Sequence, residues 1–118
     1  MSITISPAAE AFRQAFRNAG RRFVDLPEVA DAEGRPLRVW FTPLTLGERQ
    51  QIDGDSSAKE ADKVTKLVIM KAQDESGRKL FSADDRMVLQ TEAFSAPLYR
   101  LFAEMHAPPT PPSDLAKN

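Results

Sequence analysis

One histidine, His106, is the only side chain in the sequence whose ordinary pKa suits proton transfer near neutral pH. With no cysteine present, a Ser-His-Asp arrangement would have to be built on that single residue. It closes a helical pattern beside a proline-rich run, where its ordinary part is to contact the last carbonyls of the helix. The acidic pair Asp84-Asp85 could do acid–base or metal work, but capping of a helix start explains it with fewer assumptions. Asp53-Gly54-Asp55 lacks the rest of a calcium-binding loop, and Asp74-Glu75 has no convergent ligands. The five glycines are scattered among turns, so no phosphate-cradling loop forms. Carboxylates alone can catalyse, yet no constellation gathers them. The expectation is a protein without catalytic residues, metal or cofactor.

The elements that carry these residues add up to one domain. The chain of 118 residues is long enough to bury a core without disulfide or metal staples. Its 16 basic and 17 acidic residues leave a net charge of −1, which argues against a dedicated nucleic-acid binder. No apolar run approaches the roughly 20 residues needed to cross a bilayer. The first residues lack the basic and apolar regions of a signal peptide. The expectation is a cytoplasmic protein with no membrane partner.

Ser6-Pro7 reads as the start of an N-terminal helix, with Ala8, Phe12, Ala15, Phe16 and Ala19 at helical spacing and Gly20 as a stop. Arg13, Arg17 and Arg21 fall on another face; such a stripe either grips an acidic partner or is simply solvated. A β-hairpin is expected at about 22–42. Its runs are Arg22–Leu26 and Leu37–Phe41, joined by Asp31–Pro36 and bounded by Pro27 and Pro43. Trp40 and Phe41 would point to opposite faces, leaving one of them open to a partner or buried under a helix.

From Thr45 the signals are helical. Thr45–Glu48 and Ser57–Glu60 both match a capping box. The first opens a short helix and the second a longer one reaching about Gln73, with Lys59, Lys63, Lys66 and Lys71 outside. Ser82 and Ser95 read as caps of two further helices. The last carries Leu98, Leu101, Phe102 and Met105 on one face. The predicted fold is therefore α+β and mostly helical: an N-terminal helix, the hairpin, then three to four helices packed on it. The domain spans 1–107, and 108–118 form a flexible proline-rich tail with overlapping P-x-x-P patterns. No internal repeat stands out.

Residues from about Leu37 to His106 resemble the tail assembly chaperones of long-tailed, siphophage-type bacteriophages. Trp40-Phe41-Thr42-Pro43 leads to Leu44-Thr45-Leu46-Gly47-Glu48-Arg49, which is similar to the Leu-Thr-x-x-Glu-Arg helix opening of that family. After a long helix, Asp74 to Asp85 resembles its Asp-x-x-Gly-x-x-Leu-Phe-Ser/Thr-x-x-Asp segment. The N-terminal helix and the proline tail have no counterpart in the resemblance.

The resemblance implies a non-catalytic part in tail morphogenesis in the host cytoplasm, outside the mature virion. Such proteins hold the tape measure protein soluble, recruit the tail tube protein, and self-associate into rings or spirals. Many also have a longer form made by a ribosomal −1 slip. If Ala116-Lys117-Asn118 is encoded GCA-AAA-AAC, it contains the slippery run A-AAA-AAC, and the proline tail would link to an extension. In the helix-in-groove mode, the candidate contacts are Trp40, Phe41, Leu98, Leu101, Phe102 and Met105. The rival readings are a tail completion or head–tail joining factor, and a regulator that binds nucleic acid through Arg13, Arg17, Arg21 and Arg22.

Overall fold

Alternation of apolar and charged residues builds a two-stranded antiparallel hairpin in the computed structural model, which describes residues 4–108. Strand β1 (Arg22–Ala30) pairs with β2 (Pro36–Phe41). Val24 and Leu26 lie across from Val39 and Leu37 on the inner face, while Phe23 and Asp25 lie across from Trp40 and Arg38 on the outer one. The outer pairs lock the register: the Phe23 and Trp40 rings are 4.8 Å apart, and Arg38 Nε donates to Asp25 at 2.7 Å. Pro27 was expected to end the first strand. Instead β1 runs through it to Ala30, and the missing N–H is absorbed by a break in register between Leu26 and Ala30.

The hairpin closes on a turn in which Asp31 Oδ1 accepts the N–H groups of Glu33 and Arg35, both at 2.9 Å, and Gly34 takes φ +83°. The same device recurs at Asp74, whose Oδ1 accepts from Ser76 and Arg78 while Gly77 takes φ +94°. Both segments read Asp-x-x-Gly-Arg, a short repeat that periodicity does not reveal. The second turn seats Gln73 beside β2, exchanging backbone hydrogen bonds with Trp40 at 2.8 and 2.9 Å.

Among the described residues five helices join the hairpin: α1 (Pro7–Ala19), α2 (Leu46–Asp53), α3 (Glu60–Lys71), α4 (Arg86–Thr91) and α5 (Ser95–His106), with a 3-10 turn at Ala83–Asp85. This is the expected α+β order of N-terminal helix, hairpin and helices. The Thr45–Glu48 capping box forms in both directions, at 3.0 and 3.1 Å. The Ser57–Glu60 box does not. Asp55 takes the Ser57 N–H and hydroxyl instead, so α3 starts at Glu60 and ends at Lys71, short of Gln73. Ser82 pairs with Asp85 in a box of its own, whereas Ser95 is the first residue of α5 and caps nothing.

The core lies between hairpin and helices, with Val39 and Phe41 from β2, Ile52 from α2, Leu67 from α3, and Leu101 and Met105 from α5. Helix α3 packs on α2, α4 and α5, and α5 packs on β1. Lys71, expected outside, is only 4% exposed. Helix α1 stands apart, with no buried residue. Among the described residues no helix is long and apolar enough to cross a membrane. The proline-rich run beyond Pro108, and the Lys117-Asn118 end, lie outside the described residues.

Candidate protein-binding surface

The apolar stripe of α5 divides in two. Leu101 and Met105 are each 1% exposed and belong to the core, because α3 and β1 close over that line of the helix. Phe41 is fully buried as well. These three residues are therefore corrected from contact candidates to packing residues. Leu98 and Phe102, displaced around the helix, stay half-buried. Trp40 is also half-buried, on the outer face of the hairpin, with Phe23 against it and the Arg21 guanidinium 4.8 Å from its ring centre.

Leu98 borders an apolar groove of about 630 Å³ between the far end of the hairpin and the first half of α5. Leu26 and Leu101 lie at its base, Val29 and Leu37 on the hairpin side, and Pro97 and Leu98 on the helix side. Phe94 stands at its mouth, 70% exposed. The rim is acidic. Glu28 carries one carboxylate, paired with Arg100 of α5, with Nη1 donating to Oε1 at 3.0 Å. That guanidinium, helped by the backbone, draws the Glu28 pKa down to about 2. Glu92, at the end of α4, is the other acidic group on the rim and has no ion pair among the described residues. Phe94 escaped the sequence reading because loop residues carry no periodicity. The only available signal was an aromatic placed immediately before the Ser-Ala-Pro helix start.

The arginine stripe does not persist as a face. Helix α1 ends at Ala19, and Gly20 with φ +66° turns the chain before Arg21. Arg21 donates to the carbonyls of Asp74 (3.1 Å) and Glu75 (2.6 Å), tying the start of β1 to the Asp74 turn. Arg22 donates to the carbonyls of Glu104 (3.1 Å) and Ala107 (3.0 Å), where it satisfies the exposed end of α5. Arg13 pairs with Glu10 one turn away. Arg17 alone of the stripe has no ion pair or side-chain hydrogen bond among the described residues. The stripe thus yields one open guanidinium and three engaged ones, counting Arg22.

His106 Nδ1 lies 2.9 Å from the Phe102 carbonyl one turn back, the helix-terminal contact its position predicts. Among the described residues no group of three or more His, Asp or Glu side chains converges as a metal site. Asp85 accepts the Ser82 N–H, and Asp74 holds its own turn, so these acids have structural work. The chain matches no protein-family model, no curated protein and no solved structure.

Proposed function

We propose that this protein is a non-catalytic tail assembly chaperone of the siphophage type, acting in the host cytoplasm and outside the finished virion. It holds helical segments of a tape measure protein in the groove beside α5 and brings them to tail tube subunits. The observation that carries the reading is the groove itself: apolar, open at the surface, and mouthed by an exposed Phe94. An amphipathic helix docks in such a groove through residues spaced three and four apart. Phe94, Leu98 and Val29 are the side chains such a client would meet.

The segments that resemble the chaperone family support the reading from another side, because both are structural joints. The Thr45–Glu48 box starts α2, and the Asp74–Asp85 segment turns the chain from α3 into α4. A protein keeping those joints keeps the frame that positions the groove.

The test is the nucleotide sequence through Lys117-Asn118 and about three kilobases onward, followed by co-expression. The reading expects a long helix-rich frame downstream, reached through an overlapping −1 frame. Its product should stay soluble with this chain and precipitate with the Phe94→Asp variant. A locus with neither frame, or a tape measure product whose solubility is indifferent to this chain, overturns the reading.

A further inference from the structure

Helix α3 keeps one face open. Along it Lys63, Lys66, Ile69 and Met70 recur three and four residues apart, and all four line a cleft of about 820 Å³. The end of α2 and its loop bring Asp55 to the same cleft, and the segment leading into α4 brings Lys79 and Arg86. Ile69 and Met70 are half-buried, so part of the lining is apolar, and the unbranched methionine adapts its shape to what it meets.

The cleft carries excess positive charge. Four cations, Lys63, Lys66, Lys79 and Arg86, stand against two carboxylates, Asp55 and Asp62. Asp62 is committed to Arg86 at 2.7 Å, and Asp55 Oδ1 accepts from the Ser57 N–H and hydroxyl. Lys66 Nζ donates to the Gln51 carbonyl at 2.8 Å, which holds the ammonium in place without cancelling its charge. Among the described residues seven basic side chains have a carboxylate partner; Lys63, Lys66 and Lys79 have none.

Charge and apolar lining together select the occupant. A polynucleotide gains from rows of phosphate contacts and from aromatic rings on which its bases stack. Among the described residues no aromatic side chain lines this cleft, and two carboxylates would repel phosphate. An extended peptide would need an open strand edge, and neither strand contributes to the lining. A helix needs neither, because it offers apolar side chains three and four apart with carboxylates beside them. We propose that this cleft docks an acidic amphipathic helix of a partner protein, its apolar residues on Ile69 and Met70 and its carboxylates on Lys63, Lys66 and Lys79. The cleft shares no lining residue with the groove beside α5, so this reading and the proposed function fail separately.

Fluorescence anisotropy with a labelled synthetic helix of about 15 residues, leucine on one face and glutamate on its flanks, tests it. Saturable binding to the full chain is expected, weakening as salt rises from about 0.05 to about 0.5 M. Glutamine in place of every glutamate, or Lys63→Glu/Lys79→Glu in the protein, should each weaken binding roughly tenfold or more. That double variant should in turn bind a lysine version of the peptide more tightly than wild type does. Arg17→Glu/Arg35→Glu makes the same change in net charge away from the cleft and should bind as wild type, as should Phe94→Asp. Circular dichroism shows that each variant is folded. No binding at about 0.1 mM peptide overturns the proposal, as does a glutamine peptide that binds equally well. So does a Lys63→Glu/Lys79→Glu chain that binds like wild type, or a loss shared by the Arg17→Glu/Arg35→Glu control. A single-stranded oligonucleotide that outcompetes the peptide would make the cleft a nucleic-acid site instead. Binding lost only in Phe94→Asp would move the peptide to the groove beside α5 and remove this proposal alone.

Discussion

Glu48 and Lys71 form a partly buried ion pair, with Nζ donating to Oε1 at 2.9 Å and the lysine side chain 5% exposed against 29% for the glutamate. The same ammonium donates to Thr42 Oγ1 at 2.7 Å and reaches the Pro43 carbonyl at 3.3 Å. One lysine from α3 thus joins the end of β2 to the start of α2. Burial is the largest influence on Glu48 and pushes its pKa up. The Thr45 N–H and the Lys71 ammonium together outweigh it and hold the carboxyl below its usual value.

The two ends of this pair are predicted to be unequal. Glu48→Ala removes the capping box and leaves a buried ammonium without its counter-charge, at a cost of about 3 kcal/mol. Lys71→Met leaves a carboxylate that water can still reach, so its cost is about 1–2 kcal/mol. Urea denaturation of the two variants measures the difference; equal costs would mean that burial of the ammonium is not the deciding term.

Around α5, stability and binding should separate by residue. Met105→Ala empties a core position outside the groove and should cost about 2–5 kcal/mol in unfolding free energy. Phe94→Ala removes an exposed ring and should change stability by less than about 0.5 kcal/mol. Client retention in a co-purification should follow the opposite order, with Phe94→Ala losing it and any folded Met105→Ala fraction keeping it, since Met105 does not line the groove. Parallel losses in both assays would place Phe94 in the fold and not at the groove mouth.

What the sequence made legible follows from how locally each feature is encoded. The hairpin was visible because β-branched and aromatic residues flank a polar turn. The Thr45–Glu48 box was visible because its partners are three residues apart. The Ser57–Glu60 pattern is equally local and still misled, since Asp55 offers the Ser57 N–H and hydroxyl a competing acceptor. Leu101 and Met105 show the limit of periodicity. It marks a face that must be covered, and covering by α3 and β1 writes the same pattern as covering by a partner. Arg21 could not be read at all, because the carbonyls it meets lie more than fifty residues away.

The two Asp-x-x-Gly-Arg turns predict matched sensitivities. Gly34 at φ +83° and Gly77 at φ +94° occupy backbone that L side chains rarely adopt, and a Cβ at either would meet nothing within 4 Å. The cost of alanine is therefore conformational and not steric, about 1–2 kcal/mol at each position. Thermal melts of Gly34→Ala and Gly77→Ala should show similar depressions. A near-neutral effect at one of them would mean that its turn relaxes into another conformation.

Glu28 supplies the acid-side prediction. Its hydrogen bonds to Arg100 draw the carboxyl from an ordinary 4.5 down to about 2, so the folded chain holds this proton less tightly than the unfolded one. The contribution is fully present above about pH 4.5 and fades as pH falls towards 2. Glu28→Gln abolishes that titration while keeping the shape of the side chain. The stability gap between wild type and variant should therefore be constant from pH 7 to about 5 and then narrow steadily on acidification. Because Glu28 is solvent-accessible, the gap should also shrink as salt is raised from 0.05 to 0.5 M, on the order expected for a screened surface pair. Chemical denaturation at pH 7, 5, 4 and 3 follows both effects. A gap that persists unchanged at pH 3 would assign the link between β1 and α5 to packing at the groove and not to this ion pair.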